Sequence, residues 1–329
     1  MILVTGATGF LGSVLVRQLL AEDEPVRILR RASSALDLLG DAADHVEHAV
    51  GDVTDAASVR EAMRGVASVY HTAAFVGFGG ASDADKLHAV NVAGTAHVVD
   101  AALAEGIGRL VLTSSQAAFG RAEKPTGVID ETAVWVPSKT NTAYARSKHQ
   151  AELEVHRGVA EGLDAVIVNP SMIFGPGRAG ENTMEIVDKV RRGRMPAAPA
   201  GGTNVVDVED VAAGHRAAMA RGETGERYFL GSENLRWKTI LDTLAEAFGV
   251  RGPRVVLPPP LALLAGTLSE AVAAVTRTRP TLTRETARIS AHPFHYDNAK
   301  AREALGVTFR PFRATAERIA AAQSASPRP

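Results

Sequence analysis

The chain has 329 residues, 46% hydrophobic and 22% charged, with a formal net charge of −1. That balance fits a globular protein of one large or two smaller domains, and it argues against a nucleic-acid partner, whose phosphate backbone calls for a clear basic excess. There is no cysteine, so disulfides, thiolate nucleophiles and cysteine metal sites are excluded.

In chain order, short β-rich runs alternate with helical runs. This pattern predicts an α/β fold, a doubly wound parallel sheet with helices on both faces. Strands are predicted over 2–4, 26–29, 46–50, 68–72, 110–113 and 165–168, with helices over 12–21, 57–63, 89–105 and 143–161. The first strand begins at once and leaves no room for a signal peptide, so a cytoplasmic protein is expected. After Pro170 the pattern loosens into a strand over 205–207, a helix over 208–221, a strand over 228–230 and a helix near 237–248. The expected organisation is a nucleotide-binding domain over 1–175 and a smaller α/β substrate lobe over 176–320. Some segments of the lobe would return to the first sheet, and a disordered tail would follow over 321–329. The apolar run "LALLAGTLSEAVAAV" (261–275) contains Glu270 and falls short of the ~20 residues that span a bilayer. We read it as a packed helix covering an apolar pocket.

The opening "MILVTGATGFLG" runs a strand into glycines 6, 9 and 12 and then a helix. Gly6 permits the tight bend, Gly9 lets backbone N–H groups approach a pyrophosphate, and Gly12 lets helix and strand pack closely. Thr8, Phe10 and Leu11 complete the turn. The spacing Gly-x-x-Gly-x-x-Gly departs from Gly-x-Gly-x-x-Gly, but the strand–turn–helix context supports a dinucleotide site. An acid ending the second strand would hold the ribose hydroxyls of NAD. Here "VRILRRASS" puts Arg30 and Arg31 in that place, and guanidinium groups suit a 2′-phosphate. NADP is therefore the expected cofactor, although 29 arginines against 7 lysines make an exposed pair unremarkable. "GDVTD" (51–55) ends the third strand, where Asp52 and the Val53 N–H would meet the adenine. The small residues of "YHTAA" (70–74), including Thr72, Ala73 and Ala74, would let the cofactor lie against backbone.

"YARSK" sets Tyr144 and Lys148 four apart on a predicted helix, hence on one face. With 4 tyrosines in the chain, chance yields this spacing only about 0.1 times. An ammonium beside a phenol favours phenolate, so Tyr144 is expected to have a lowered pKa and to exchange protons near neutrality, while Lys148 binds the nicotinamide ribose. "VLTSSQAAFG" brings Thr113, Ser114 and Ser115 to the carboxyl end of the fifth strand, where a hydroxyl can hold a developing oxyanion. Neither a Gly-x-Ser-x-Gly elbow nor a His-Glu-x-x-His zinc pattern occurs, so no metal site is expected.

Taken together, "TGATGFLG", "GDVTD", "HTAA", "NVAGT", "TSS", "YARSK" and "NPSMIFGPG" resemble the extended branch of the short-chain dehydrogenase/reductase superfamily, over residues 1 to 180. The resemblance implies a catalytic Ser115–Tyr144–Lys148 triad. It also implies that Asn91 stabilises the central helix and joins a proton relay, and that Pro170, Ser171, Met172 and Ile173 pack at the nicotinamide end. "NVVDVEDVAAGH", "GERYFLGSENL" and "FHYDNAKAREALG" are similar to dihydroflavonol 4-reductase-like proteins and hopanoid-associated sugar epimerases. Three departures argue against a nucleotide-sugar substrate. Gln116 and Ala117 stand where the dehydratases carry Asp-Glu, and Thr203 stands where the epimerases carry a clamping arginine. The third is the pair Arg30–Arg31. Arg178, Arg191, Arg192 and Arg194 remain alternative clamps.

The leading expectation is an NADP(H)-dependent reductase of a ketone or aldehyde on a fairly apolar small molecule. Phe75, Phe78 and Gln116 are the expected substrate contacts. An NAD(P)-dependent sugar epimerase and a non-catalytic cofactor-binding regulator stay open. Family resemblance also implies a homodimer through the helices at 89–105 and 143–161.

Overall fold

In a computed structural model of the chain, the residues described are 1–77, 83–122, 127–181, 183–276 and 283–325. The first half runs β1 (Ile2–Thr5), α1 (Phe10–Leu20), β2 (Val26–Arg30), β3 (Glu47–Val50), α2 (Ala56–Met63), β4 (Ser68–His71), α3 (Ala84–Leu87), α4 (Gly94–Glu105), β5 (Arg109–Thr113), α5 (Ala143–Ala160) and β6 (Ala165–Pro170). The second half adds β7 (Met172–Phe174), α6 (Thr183–Arg191), β8 (Ala197–Pro199), β9 (Gly202–Asp207), α7 (Val208–Arg221), β10 (Arg227–Leu230), β11 (Glu233–Arg236), α8 (Trp237–Ala247), β12 (Val255–Leu257), α9 (Pro259–Thr276), α10 (Arg284–Ser290), α11 (Ala299–Leu305) and α12 (Phe312–Ala325).

Seven strands form a parallel sheet in the order β10-β6-β5-β4-β1-β2-β3. Helices cover both faces, so strand residues are apolar without alternation and simply divide between two cores. Val4, Val111, Val166 and Val168 face one core with α1, α7 and α11. Leu3, Val69, Leu110, Leu112 and Ile167 face the other with α2, α4 and α5. The winding reverses between β1 and β4, and their carboxyl ends form the crevice where such sheets take ligands. Thr5 pairs with His71, and Thr113 with Val168, so the ends of β1, β4, β5 and β6 come level at one rim.

The lobe has its own sheets, β11-β9-β7 and β12-β8. Its core joins Phe174, Val187, Val205, Leu241, Leu244, Phe312 and Ile319. The chain crosses back through α7 and β10, which extends the large sheet beyond β6, before ending in the lobe with α12.

Two expectations change. Helix α12 runs to Ala325, into the stretch read as tail, because its apolar face docks Phe312, Ala316 and Ile319 in the lobe core. The apolar run 261–275 is helical within α9, but not packed all round. Ala262 and Ala273 are buried while Leu261, Leu264, Leu268 and Val272 are exposed on the opposite face. Small residues make the contact: a Cβ on Gly266 would stand 3.0 Å from the backbone of Thr283. Among the described residues no helix is long and apolar enough to cross a membrane.

Candidate active site

The glycine turn is a cradle that side chains would fill. Gly6 has φ +70°, and a Cβ there would lie 2.6 Å from the Ala73 nitrogen; a Cβ on Gly12 would lie 2.3 Å from the Gly6 oxygen. Gly9 caps α1 without a side-chain hydrogen bond, and the first turn holds no acid. The uncapped N–H groups and the positive end of the helix thus face open space, which fits a pyrophosphate. Thr8, Gly9 and Phe10 reach the surface there, and Leu11 is buried behind them.

The β1–β4 rim is locked by side chains. Thr5 Oγ1 and His71 Nδ1 are 2.7 Å apart, and His71 Nε2 lies 3.1 Å from Thr95 Oγ1. Since the Thr95 hydroxyl donates to the Asn91 carbonyl, His71 donates from Nε2 and accepts at Nδ1. Burial first, and then the charge of Lys148, push its pKa down to about 3, so it is a neutral strut. Thr72 spends its hydroxyl on the Thr5 carbonyl at 2.7 Å, leaving a smooth edge of Ala73 and Ala74.

At the adenosine side, β2 ends in Arg30, whose Nε donates to His48 Nδ1 at 2.7 Å; His48 Nε2 is in turn held by the Ala43 carbonyl at 2.8 Å. Arg31 follows, exposed. The next acid along the chain, Asp37, is bound by Arg178 at 2.5 Å, and that guanidinium also holds Glu181. Arg178 is therefore committed to protein carboxylates rather than open as a clamp. Arg191 leans on Asp188 in the same way. Arg192 and Arg194 line a surface hollow with Lys189, Glu185 and Asp188. Asp52 Oδ1 accepts from both the N–H and hydroxyl of Thr54 at 2.9 Å, so Asp52 is also a turn residue. Val53 is buried against Gly94.

Ser115 and Tyr144 meet where β5 ends. Ser115 caps the short 3-10 turn Gln116–Phe119. Thr142 caps α5 by accepting from Ala145 N at 2.9 Å, which sets Tyr144 in the first turn. The side chains of Tyr144 and Ser115 are hydrogen-bonded. Burial raises the Tyr144 pKa above its ordinary value; the Ser115 hydrogen bond and the charge of Arg121 oppose this. The expectation of a lowered pKa is thus corrected. Lys148 is only 2% exposed and donates to the Thr113 carbonyl at 2.7 Å, so its ammonium is spent on backbone rather than on the phenol. Burial pushes the Lys148 pKa down to about 8, against the opposing charge of Glu152.

The remaining candidates divide. Ser114 turns away from Tyr144 and donates to Glu152 at 2.5 Å. The Thr113 hydroxyl contacts His215 Nε2 at 2.7 Å, while His215 Nδ1 holds the Val211 carbonyl. Asn91 lies in a π-helical turn over His88–Ala93. It binds the N–H and C=O of Phe75 at 2.7 and 2.9 Å and Ser147 Oγ at 3.0 Å. It therefore clasps the segment after β4 to α5. Pro170 is buried at the end of β6. Among the described residues the buried Ser171 hydroxyl has no partner, and Met172 and Ile173 border it half-buried.

Of the substrate candidates, Phe75 is half-buried under the Lys86 ammonium at 4.2 Å, and Phe78 lies outside the described residues. Gln116 donates to Thr203 Oγ1 at 3.1 Å, and its buried Oε1 has no partner among the described residues. Sequence reasoning missed two residues. Glu152 was visible as an acid four places after Lys148. Arg121 gave no local signal, because its neighbours arrive from residues 140–141 and 294–296.

Comparison with known proteins gives a consistent picture. Residues 2–231 match the model of the "NAD dependent epimerase/dehydratase family". A protein of Synechocystis sp., named provisionally as a dihydroflavonol 4-reductase, is 38% identical over 92% of this chain and 89% of its own length. "Sterol demethylase protein B" of Methylococcus capsulatus is 40% identical over 79% of this chain and 78% of its own. "2-alkyl-3-oxoalkanoate reductase" of Stenotrophomonas maltophilia is 32% identical over 93% of both. The crystal structure of gox2253 is 33% identical over 98% of both chains, with a TM-score of 0.84. The chain belongs to the NAD dependent epimerase/dehydratase family, within the extended short-chain dehydrogenase/reductases, and is an NAD(P)-dependent oxidoreductase.

Proposed function

We propose that this protein is an NADP(H)-dependent reductase of a ketone or aldehyde on a fairly apolar small molecule. The observation that carries the reading is the Ser115–Tyr144 hydrogen bond at the carboxyl end of β5, with Lys148 one helical turn beyond Tyr144. Support for NADPH comes from Arg30, tied to His48 at the end of β2, where an NAD-binding acid would stand. The Stenotrophomonas relative is named as a reductase of a 3-oxo acid, which supports the direction. The buried amide of Gln116, tied to Thr203, offers neither the proton shuttle of a dehydratase nor the cation of a diphosphate clamp.

The glycine turn and the α1 N-terminus would hold the pyrophosphate, Arg30 and Arg31 the 2′-phosphate, and Ser171 to Ile173 the nicotinamide end. When bound, the reduced nicotinamide supplies hydride to the carbonyl carbon. Ser115 donates a hydrogen bond to the carbonyl oxygen, and Tyr144 gives that oxygen its proton as the C=O bond becomes C–O. Lys148, charged below pH 8 or so and held on the Thr113 carbonyl, would bind the nicotinamide ribose.

Titrating the protein separately with NADPH and NADH tests the cofactor half. Preference for NADPH, lost by about tenfold or more in Arg30→Ala or Arg31→Ala, is expected. Equal affinity in all three proteins would remove the argument for NADP.

A further inference from the structure

Arg121 follows the 3-10 turn that Ser115 begins, and it is built into the site from two sides. Its N–H donates to Asn141 Oδ1 at 2.8 Å, and its carbonyl accepts from Thr140 Oγ1 at 2.6 Å. Both partners lie just before Tyr144, so the backbone of Arg121 is fixed relative to the phenol. Its Nε donates to Tyr296 Oη at 3.2 Å, and its guanidinium stacks 5.2 Å from the Phe294 ring centre. Both aromatic rings are only 3% exposed. They hold the guanidinium plane still and shield one face of it from water. Among the described residues no carboxylate pairs with Arg121. Its charge reaches Tyr144, whose phenol it stabilises in the ionised form.

We propose that Arg121 binds a carboxylate of the substrate close to the reacting carbonyl, which makes the preferred substrate a 3-oxo acid rather than a neutral ketone. The inference rests on the reductase reading above and narrows it. A guanidinium fixed by one edge keeps its Nη groups for a bidentate carboxylate, and this geometry is selective because a neutral ester cannot replace the charge. The reaction is then 3-oxo acid plus NADPH plus a proton giving 3-hydroxy acid plus NADP⁺: hydride adds to C3, and Tyr144 protonates its oxygen. The carboxylate is unchanged and only anchors the molecule.

The test uses the whole chain with NADPH and a matched pair, 3-oxooctanoate and its methyl ester, in wild type, Arg121→Met and Arg121→Lys. Wild type is expected to favour the acid in kcat/KM by about 10- to 100-fold. Arg121→Met should erase that ratio mainly through KM for the acid, with NADPH affinity unchanged and ester reduction lowered only by the smaller, shared effect of losing the guanidinium charge near Tyr144. Arg121→Lys should restore the preference only in part. An acid-to-ester ratio near one in wild type, or equal loss on both substrates in Arg121→Met, overturns the assignment but leaves the reductase reading standing. If neither compound nor any ketone consumes NADPH, the reductase reading fails and the assignment falls with it.

Discussion

The Glu152 carboxylate lies one helical turn beyond Lys148 and accepts the Ser114 hydroxyl at 2.5 Å. Asn169 donates to the same oxygen at 2.6 Å, and Arg227 approaches the other at 3.4 Å. Glu152 is 2% exposed, and a buried carboxylate persists only when hydrogen-bonded and charge-paired. Its charge opposes the burial that drives Lys148 toward neutrality.

Glu152→Gln keeps the shape and most hydrogen bonds but removes that charge. The pKa of Lys148 should then fall below about 8, so the alkaline decline of kcat/KM should move toward acid by roughly one pH unit. A pH–rate profile of the two proteins measures this. An unmoved profile would reduce Glu152 to a packing role.

Lys148 itself should be costly to the fold. Its folded pKa is depressed from 10.5 to about 8, so the penalty is full below pH 8, where both states are protonated. It fades between pH 8 and 10.5, where only the unfolded chain keeps the proton, and is gone above. Lys148→Met should therefore stabilise the protein near neutrality by up to about 3 kcal/mol, less the lost bond to Thr113, while activity disappears. Urea unfolding at pH 7 and pH 10 would show the gain shrinking with pH. A loss of stability at pH 7 would contradict this.

His215 acts with the same sign in a lower pH window. Burial holds its pKa down to about 4, against its bond to the Val211 carbonyl. Its neutral form contributes stability that is full above pH 6.5 and lost as pH falls toward 4. Each pH unit in that window should cost wild type about 1.4 kcal/mol through this group alone. His215→Gln, which can still reach Thr113 and Val211, should unfold with a correspondingly flatter acid limb. Parallel limbs would show that His215 does not titrate between the two states.

What was legible in the sequence was local. The strand–Gly–helix turn, the Tyr144–Lys148 face and the alternation of strands and helices depend on near neighbours and on periods of 2 and 3.6 residues. Other features depended on distant partners. Ser114 and Ser115 look equivalent in "TSS", and only the arrival of Glu152 and Asn169 turns one hydroxyl away. The lowered tyrosine pKa failed because burial and the Thr113 carbonyl decide where the lysine charge goes. The leucines of α9 read as core by composition, yet its small residues make the contact. Arg121 could not be picked from 29 arginines before Tyr296 and Phe294 were seen beside it.

The most direct measurement counts NADPH consumed against alcohol formed from a carbonyl substrate, in wild type and in Tyr144→Phe. The expected result is one NADPH per alcohol, slowed about 100- to 10,000-fold in Tyr144→Phe with NADPH affinity unchanged. Tightly retained NAD with turnover and no net consumption of nucleotide would contradict the reductase and make the protein an epimerase.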